Sequence, residues 1–190
     1  DEFTCGEHHF FTVENRGKSL KDILMDKDNL NLTIILDIIH QLCLAVQIAH
    51  SREIILRDLS LDNVLWDGAQ ISIVDLEYAY RLDGPELYPI GTSGFSIKRQ
   101  MSNRLSPLNP IPLHDIYSIG AIWHTLLSPI DYLNYLKSNP TRKDMDRAWN
   151  RSELSTDIPQ KIKGIIHDCM ESNCDDLMQI ISIIKELKAV

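Results

Sequence analysis

The strongest constraint on the fold is a change of hydrophobic period near residue 50. Residues 33–50 repeat Ile, Leu, Val and Ala at three- and four-residue steps, which predicts one long amphipathic helix. The stretch 51–66 lacks that period, and two short apolar runs then flank Asp67-Gly68, which is a turn signal for a β-hairpin. The sequence therefore places a helix, an irregular segment and a hairpin in succession at its centre.

Patterns on either side of this centre predict an α+β, mainly α body. The run from His9 to Glu14 predicts a strand, and Ser19 with Asp22 three residues later predicts a capped helix. Prolines are frequent in residues 83–112, so we predict a long irregular segment there. Further helices are predicted over 116–127, 131–150, 159–170 and 177–187.

Composition limits the domain count and the partners. The 190 residues suffice for one domain with a core, and a net charge of -8 argues against a nucleic-acid partner. Lys, Asp, Asn or His interrupts every Ile/Leu run, so we expect no membrane span, and the opening DEFTCGE lacks the features of a signal peptide. The four cysteines contain no CxxC pair, so free thiols in the cytoplasm are expected at Cys5, Cys43, Cys169 and Cys174.

The polar residues between Ile55 and Tyr80 are the candidates for chemistry. Asp58 and Asn63 share the irregular segment, and Asp75 follows a short apolar run. Phosphoryl transfer needs one carboxylate that accepts a proton, together with carboxylate and amide oxygens that bind Mg²⁺. A hairpin between the two segments would bring these three side chains together, so the pattern favours a phosphoryl-transfer site.

Four segments of the sequence resemble protein-kinase motifs, in kinase order. Residues 56–63 (LRDLSLDN) resemble the catalytic loop H-R-D-L-x-x-x-N, and residues 75–77 (DLE) stand where kinases have D-F-G. Residues 91–95 (GTSGF) resemble the G-T-x-x-Y end of an activation segment, and residues 114–120 (HDIYSIG) resemble the D-x-x-S-x-G start of a C-lobe helix. The resemblance covers essentially the whole chain and implies a protein-kinase-like C-lobe.

The resemblance also implies roles for the candidate residues. Asp58 would be the catalytic base, Arg57 beside it in the catalytic loop would be a further catalytic residue, and Thr92 would face Asp58 to help position the substrate. Asn63 and Asp75 would bind Mg²⁺ and, through it, ATP. Asp115 would be structural, hydrogen-bonding the backbone of the catalytic loop.

The division of the chain and the adenine site follow from the same resemblance. Residues 1–16 would be the last N-lobe strand and the hinge, and residues 17–190 would be the helical lobe. The hinge, formed by Glu14, Asn15 and Arg16, would meet the adenine through backbone groups. Val64 and Leu65 would lie beneath the adenine ring.

Several kinase features are replaced or missing in this sequence. The Gly-rich loop, its strand Lys and the αC Glu belong to an N-lobe that would precede residue 1, so we expect an incomplete enzyme that binds ATP poorly alone. Ser60 stands where many kinases have a Lys, and Glu77 stands in place of the D-F-G glycine. No Ser or Thr lies between Leu76 and Gly91, so we expect no Ser/Thr phosphorylation there.

A narrower resemblance is to the kinase domain of class III and class IV lanthipeptide synthetases (lanthionine synthetases). It rests on residues 58–60 (DLS), 75–77 (DLE), Ala79, residues 91–95 (GTSGF) and the opening segment. It implies phosphorylation of Ser/Thr in a precursor peptide by one part of a longer cytoplasmic protein that also carries an N-lobe and lyase and cyclase domains. Two alternatives stay open: a small-molecule kinase of the aminoglycoside or choline type, and a noncatalytic pseudokinase or docking module.

Overall fold

A computed structural model describes the chain over residues 2–5, 8–11, 16–26, 30–84, 90–97, 111–137, 153–171 and 173–189, with the backbone alone in the first two ranges and at Tyr135. The described chain holds six α-helices and small antiparallel strand pairs. The predicted α+β, mainly α class is therefore confirmed.

The helices are α1 (Leu20–Met25), α2 (Leu32–His50), α3 (Pro112–Leu127), α4 (Pro129–Lys137), α5 (Gln160–Met170) and α6 (Leu177–Lys188). Helices α2, α5 and α6 lie within one residue of their predicted bounds. Helix α3 begins earlier than its apolar stripe, because Pro112 occupies the first turn, where its fixed φ is favourable. Of the helix predicted at 131–150, α4 covers the described part, and the rest lies outside the described residues.

The strands are β1 (Glu2–Cys5), β2 (His8–Phe11), β3 (Lys18–Ser19), β4 (Ile54–Ile55), β5 (Val64–Trp66), β6 (Ile71–Ile73) and β7 (Tyr80–Arg81). They form three separate sheets, ordered β1-β2, β3-β5-β6 and β4-β7. The single strand predicted at 9–14 corresponds to β2, which begins one residue earlier and pairs with β1, a strand that the sequence did not predict. Residues 12–15 lie outside the described residues.

Helix α2 is the central core helix. Ile38, Ile39 and Leu42 on one face are completely buried, and this face packs against α3 and α6. By length and composition alone α2 could cross a membrane, since its 19 residues have a mean hydropathy of 1.9. The expectation that no segment would approach that length and composition is therefore wrong.

The β5-β6 hairpin is held to α2 by one side chain. Gln41 Nε2 donates to the Ala69 carbonyl oxygen at 3.0 Å, and the Ile71 N–H donates to Gln41 Oε1 at 3.2 Å. Within the turn, Asp67 Oδ1 accepts the N–H groups of Ala69 and Gln70 at 2.8 and 2.7 Å. The predicted hairpin is thus confirmed, and its orientation on the core is fixed by a polar residue of the long helix.

Strands β4 and β7 close the segment that carries the candidate residues. Ile54 pairs with Arg81 and Ile55 pairs with Tyr80, and the Leu82 N–H donates to the Glu53 carbonyl oxygen at 2.9 Å. The segment 56–79, which includes β5 and β6, therefore begins and ends at one pair of hydrogen-bonded strands. This closure keeps the catalytic-loop segment next to the segment that follows Asp75.

Asp115, near the start of α3, is the buried connection between the core and this loop. Its Oδ1 accepts the Arg57 N–H at 2.8 Å, and its Oδ2 accepts the Leu56 N–H at 2.9 Å. His50 Nε2, at the end of α2, also lies 2.8 Å from Oδ2. Asp115 is 0% exposed, so one carboxylate holds two elements that would otherwise leave buried donors unsatisfied.

Gly120 permits the close approach of α3 to α5. A Cβ at this position would lie 2.7 Å from the Cys169 Cβ and 3.2 Å from the Met170 Cγ, which is inside van der Waals contact. Gly164, on α5, has open space around the corresponding position. The first glycine is therefore required by packing, and the second is not.

We expect Asp115→Asn to destabilise the fold by about 1–3 kcal/mol, because an amide nitrogen would face a buried N–H donor that now has an acceptor. Asp62→Asn is the matched control, since it removes one exposed ion pair with Lys21, worth less than about 1 kcal/mol. Urea unfolding measures both changes. Equal stability of the two variants would contradict the assigned role of Asp115.

Gly120→Ala should destabilise the protein by about 1–3 kcal/mol through overpacking at the α3–α5 contact. Gly164→Ala should be neutral or stabilising by up to about 1 kcal/mol, because Ala has the better helix propensity and meets no neighbour. Urea unfolding of the pair separates packing from propensity. A Gly120→Ala protein as stable as the Gly164→Ala protein would show that α3 and α5 do not approach so closely.

Candidate functional site

The catalytic-loop segment is held in an unusual backbone conformation. Arg57 and Asp75 have φ values of +69° and +57°, in the left-handed region that residues with a Cβ seldom adopt. Each such residue costs on the order of 1–2 kcal/mol, so the surrounding structure must hold it there. The hydrogen bond from the Arg57 N–H to Asp115 supplies that restraint at the first position.

Asp58 lies at the centre of a polar cluster. Thr92 Oγ1 donates to Asp58 Oδ1 at 2.6 Å, so the two residues face each other as the kinase resemblance implied. Asn63 Nδ2 donates to the Asp58 carbonyl oxygen at 2.9 Å and lies 3.3 Å from Asp58 Oδ2. One carboxylate oxygen is therefore firmly hydrogen-bonded, and the other has only a long contact.

The base of the β5-β6 hairpin brings Asn63 next to the segment that carries Asp75. Val64 pairs with Ile73, and the Val74 N–H donates to the Asn63 carbonyl oxygen at 3.0 Å. The Asn63 amide nitrogen is directed to Asp58, so its Oδ1 points to the other side. The Asp75 side chain makes no capping hydrogen bond to the short 3₁₀ helix that it precedes, and Asp75 is exposed.

The side chains of Asn63 and Asp75 are chemically suited to binding Mg²⁺. Amide and carboxylate oxygens are hard donors, and Mg²⁺ in nucleotide sites is usually held by one or two protein carboxylates together with phosphate oxygens. Within the described part of the chain, no three His, Cys, Asp or Glu side chains form a metal cage. The donor set therefore fits an ion that is shared with a bound phosphate.

Arg57 connects the catalytic loop to the 3₁₀ turn (Leu76–Tyr78). Its guanidinium is almost fully buried, and Nη1 donates to the Tyr78 carbonyl oxygen at 3.4 Å. Burial lowers the pKa of the Arg57 side chain, and the neighbouring Tyr80, Asp115 and Asp58 oppose this shift. Arg57 thus joins the catalytic loop to the segment that follows Asp75.

Phe95 fixes the position of Thr92. The Phe95 N–H donates to the Thr92 carbonyl oxygen at 3.0 Å, and the buried Phe95 ring packs edge-on against Tyr132 with centroids 6.1 Å apart. Ser118 Oγ, on α3, donates to the Phe95 carbonyl oxygen at 2.6 Å. Ser118 lies three residues after Asp115, so the two occupy neighbouring positions on one side of the helix.

Of the residues assigned to the adenine site, Val64, Leu65 and Arg16 lie among the described residues. Leu65 lies in the middle of β5, where it pairs with Ser19 and Ser72, and it is half-buried. Arg16 is exposed and lies near Asp67, where it helps lower the pKa of that carboxyl, after the larger effect of the Gln70 and Ala69 N–H groups. Glu14 lies outside the described residues.

A cavity of about 530 Å³ lies at the turn end of the hairpin, lined by Gly17, Lys18, Ile23, Leu30, Trp66, Asp67 and Gly68. Gly17 forms part of its wall at φ +99°, where a Cβ would collide with the Trp66 carbonyl oxygen at 2.2 Å. The cavity has the volume of a small-molecule site. None of Asp58, Asn63 or Asp75 lines this cavity.

Ser60 and Glu77, which replace a Lys and a Gly of typical kinases, have different surroundings. Ser60 is buried, and no described residue hydrogen-bonds its Oγ, so this side chain does not extend into the site as a Lys would. Glu77 is exposed and accepts a hydrogen bond from the neighbouring Tyr78 hydroxyl, which raises the pKa of Tyr78.

Sequence reasoning missed three contacts that shape the site. The D-x-x-S-x-G resemblance includes Ser118 but does not predict its hydrogen bond to the Phe95 carbonyl oxygen. The position of His50 at the end of a helix predicts a packed residue but not its contact with Asp115. Lys21 Nζ binds both oxygens of Asp62 at 2.9 and 3.2 Å, which joins α1 to the catalytic loop. All three contacts join positions that are distant in the sequence, and the i, i+3 spacing of Asp115 and Ser118 was the one available signal.

Comparison with known proteins agrees with this geometry. The chain is 28% identical over 158 residues to the "Probable serine/threonine-protein kinase zyg-1" of Caenorhabditis briggsae. That alignment covers 75% of the chain and 22% of the relative, so the chain spans about a fifth of the relative's length. A protein-family model described as "Protein kinase domain" matches residues 4–186. With a match over nearly its whole length, and with the Asp58, Asn63 and Thr92 cluster assembled in the order of the kinase motifs, the chain belongs to the protein kinase domain family.

Proposed function

We propose that this domain transfers a phosphoryl group from Mg²⁺-ATP to a Ser or Thr hydroxyl of a peptide. The observation that supports the proposal best is the Asp58 cluster. Its carboxylate is oriented by Thr92 on one side and by Asn63 on the other, at the open end of a restrained loop. Such a carboxylate is suited to accept a proton from a hydroxyl group placed against it.

The two oxygens of Asp58 have different tasks in this proposal. Oδ1 is taken by the 2.6 Å hydrogen bond from Thr92 and fixes the plane of the carboxylate. Oδ2 has the 3.3 Å contact with Asn63 and retains the lone pair that receives the substrate proton. The substrate hydroxyl would therefore approach from the Oδ2 side.

Asn63 Oδ1 and the Asp75 carboxylate would hold Mg²⁺, and ATP would complete its coordination. When bound, the ion neutralises phosphate charge as the phosphoryl group moves. The chain's own residues position these two ligands. The base of the β5-β6 hairpin holds Asn63 beside the segment that contains Asp75, and the left-handed backbone of Asp75 turns the chain away from β6.

Three cationic side chains of the described residues are already engaged by other groups. Lys18 and Lys21 are paired with Asp26 and Asp62, and the Arg57 guanidinium is buried against the Tyr78 carbonyl oxygen. Leu76, next to Asp75, is 51% exposed, which leaves an apolar surface beside the site. We therefore infer that an N-lobe covers this end of the domain and contacts the ATP phosphates.

We further propose that the domain is the kinase part of a cytoplasmic lanthipeptide synthetase that also carries lyase and cyclase domains. The support is the sequence resemblance at residues 58–60, 75–77 and 91–95. The complete gene product should convert Ser or Thr of its precursor peptide to dehydrated residues, detected as loss of water by mass spectrometry. Stable phosphopeptide with no loss of water would contradict this assignment and would leave the kinase assignment intact.

Asp75→Asn should reduce peptide phosphorylation by about a hundredfold or more, because it removes the one charged Mg²⁺ ligand. Asn tolerates the left-handed backbone at this position, so the fold should persist. The measurement is Mg²⁺-dependent transfer from radiolabelled ATP to Ser/Thr peptides by the complete gene product.

Asp67→Asn is the matched control, since Asp67 lies at the opposite end of the same hairpin and its carboxylate is engaged by the Ala69 and Gln70 N–H groups. Its activity should equal that of the wild type. Label on an aminoglycoside or choline and none on peptide, or no label on any substrate, would overturn the peptide-kinase proposal.

Thr92→Val should lower kcat by about 10- to 100-fold, because the Asp58 carboxylate loses a hydrogen bond that fixes its orientation. Thr92→Ser retains the hydroxyl and should keep most of the activity. The measurement is kcat and KM for a Ser peptide. A Thr92→Val enzyme with normal kcat would contradict the assigned role of the Thr92–Asp58 hydrogen bond.

A further inference from the structure

Helix α2 exposes apolar side chains on its outer side, where a helix at a protein surface usually carries charged ones. Leu44 and Ile48, which lie four residues apart, are 38% and 55% exposed. The only Asp, Glu, Lys or Arg in residues 32–50 is Asp37. Core packing explains the buried side of this helix and leaves the exposure of Leu44 and Ile48 unexplained.

Met178, in the first turn of α6, extends this apolar area. Met178 is 49% exposed, and Gln47 Nε2 of α2 donates to Met178 Sδ at 2.9 Å. Gln47 and Ile48 are three and four residues after Leu44, so Leu44, Ile48 and Met178 form one surface, which we call the α2–α6 surface. A continuous apolar surface of this kind is typical of a contact with another molecule.

Helix α6 runs antiparallel to α2 along this surface. Met178, at the start of α6, contacts Gln47 near the end of α2. Lys188, at the end of α6, forms an ion pair with Asp37 near the start of α2. The two ends of the α2–α6 surface therefore lie beside opposite ends of α6.

Opposite charges stand at these two ends. Asp175 and Asp176 are exposed immediately before α6. Lys185 is exposed at the other end, near His40, whose pKa is lowered by burial first and then by Lys188 and Lys185. Within the described part of the chain, neither Asp175 nor Lys185 forms an ion pair.

We propose that the α2–α6 surface binds the same surface of a second copy of this chain across a two-fold axis. Such an axis places the two α2 helices antiparallel and covers both apolar surfaces at once. It also brings Asp175 and Asp176 of each copy toward Lys185 of the partner subunit. A parallel arrangement would set like charges against each other, so the charges select the antiparallel one.

The spacing along the helices allows both charged contacts in one register. Asp176 and Lys185 are nine residues apart, which is about 13 Å along α6. Because the start of α6 lies beside Gln47 and Lys185 lies near His40, the middle of that span lies beside Leu44. A two-fold axis near Leu44 therefore matches the apolar centre and both charged ends.

Pairing of this kind leaves the phosphotransfer site open. Leu44 is two residues from the buried Leu42, so the two side chains lie on nearly opposite sides of α2. The Leu42 side packs against α3, which carries Asp115 and Ser118. The pairing therefore does not depend on the proposed phosphoryl transfer.

Ile48→Lys tests the apolar centre. The complete gene product should sediment as a dimer at micromolar concentration, and Ile48→Lys should raise the dimer dissociation constant by about a hundredfold or more, because a two-fold interface loses the contact twice. Ile130→Lys is the matched control, since Ile130 lies on α4 and is 70% exposed, and it should dimerise as the wild type does. Sedimentation equilibrium at about 0.15 M salt, where repulsion between two chains of net charge -8 is largely screened, measures all three.

Charge exchange tests the orientation of the two copies. Asp175→Lys and Lys185→Glu should each raise the dissociation constant by about tenfold, because each sets like charges together at both ends of the interface. An equimolar mixture of the two variants should form mixed dimers with the affinity of the wild type, since every facing pair then has opposite charges. Recovery in the mixture also shows that both variants are folded.

A wild type that is monomeric at high micromolar concentration would overturn the proposal. So would a dimer that Ile48→Lys leaves intact, or a mixture that binds no more tightly than its components. Protection of Met178 from hydroxyl-radical labelling in a monomeric wild type would assign the surface to another part of the gene product instead. Binding of the monomer to phosphatidylcholine vesicles would assign it to a membrane.

Discussion

The buried carboxylate of Asp115 is the interaction on which the site depends. It accepts the N–H groups of Leu56 and Arg57 and contacts His50, so the end of α2, the start of the catalytic loop and the start of α3 meet at one side chain. Both loop donors are buried, and an unpaired buried donor is costly. The loop therefore has one well-defined position relative to the helices, and this also fixes the position of Asp58.

Helix α3 positions both halves of the site from one face. Asp115 holds the catalytic loop, and Ser118, one helical turn later, holds the Phe95 carbonyl oxygen and with it the turn that carries Thr92. The 2.6 Å hydrogen bond between Thr92 and Asp58 then joins the two halves at the open end. A rigid helix is well suited to this task, because two groups three residues apart keep a constant separation.

The electrostatics of the domain explain why it needs additional positive charge for its chemistry. The net charge is -8, and the proposed Mg²⁺ site is itself acidic. The lysines nearest the catalytic loop are paired with aspartates, and Arg57 serves the backbone. A triphosphate would be repelled by such a surface unless a metal ion and further cationic groups approach it. This is the physical reason for the proposal that a separate lobe contacts the ATP phosphates.

Local periodicity in the sequence determined most of the helices, the β5-β6 hairpin and the order of the kinase-like motifs. Period and turn chemistry depend on neighbouring residues, so α2, α5 and α6 were predicted within one residue. The resemblance also identified Asp58, Asn63 and Thr92 as a group. Only the tertiary structure decided that the buried Arg57 side chain contacts the Tyr78 carbonyl oxygen, that Ser60 is buried and that β1 pairs with β2. These contacts join residues whose separation along the chain carries no period, so they are set by how the helices pack and not by any local pattern.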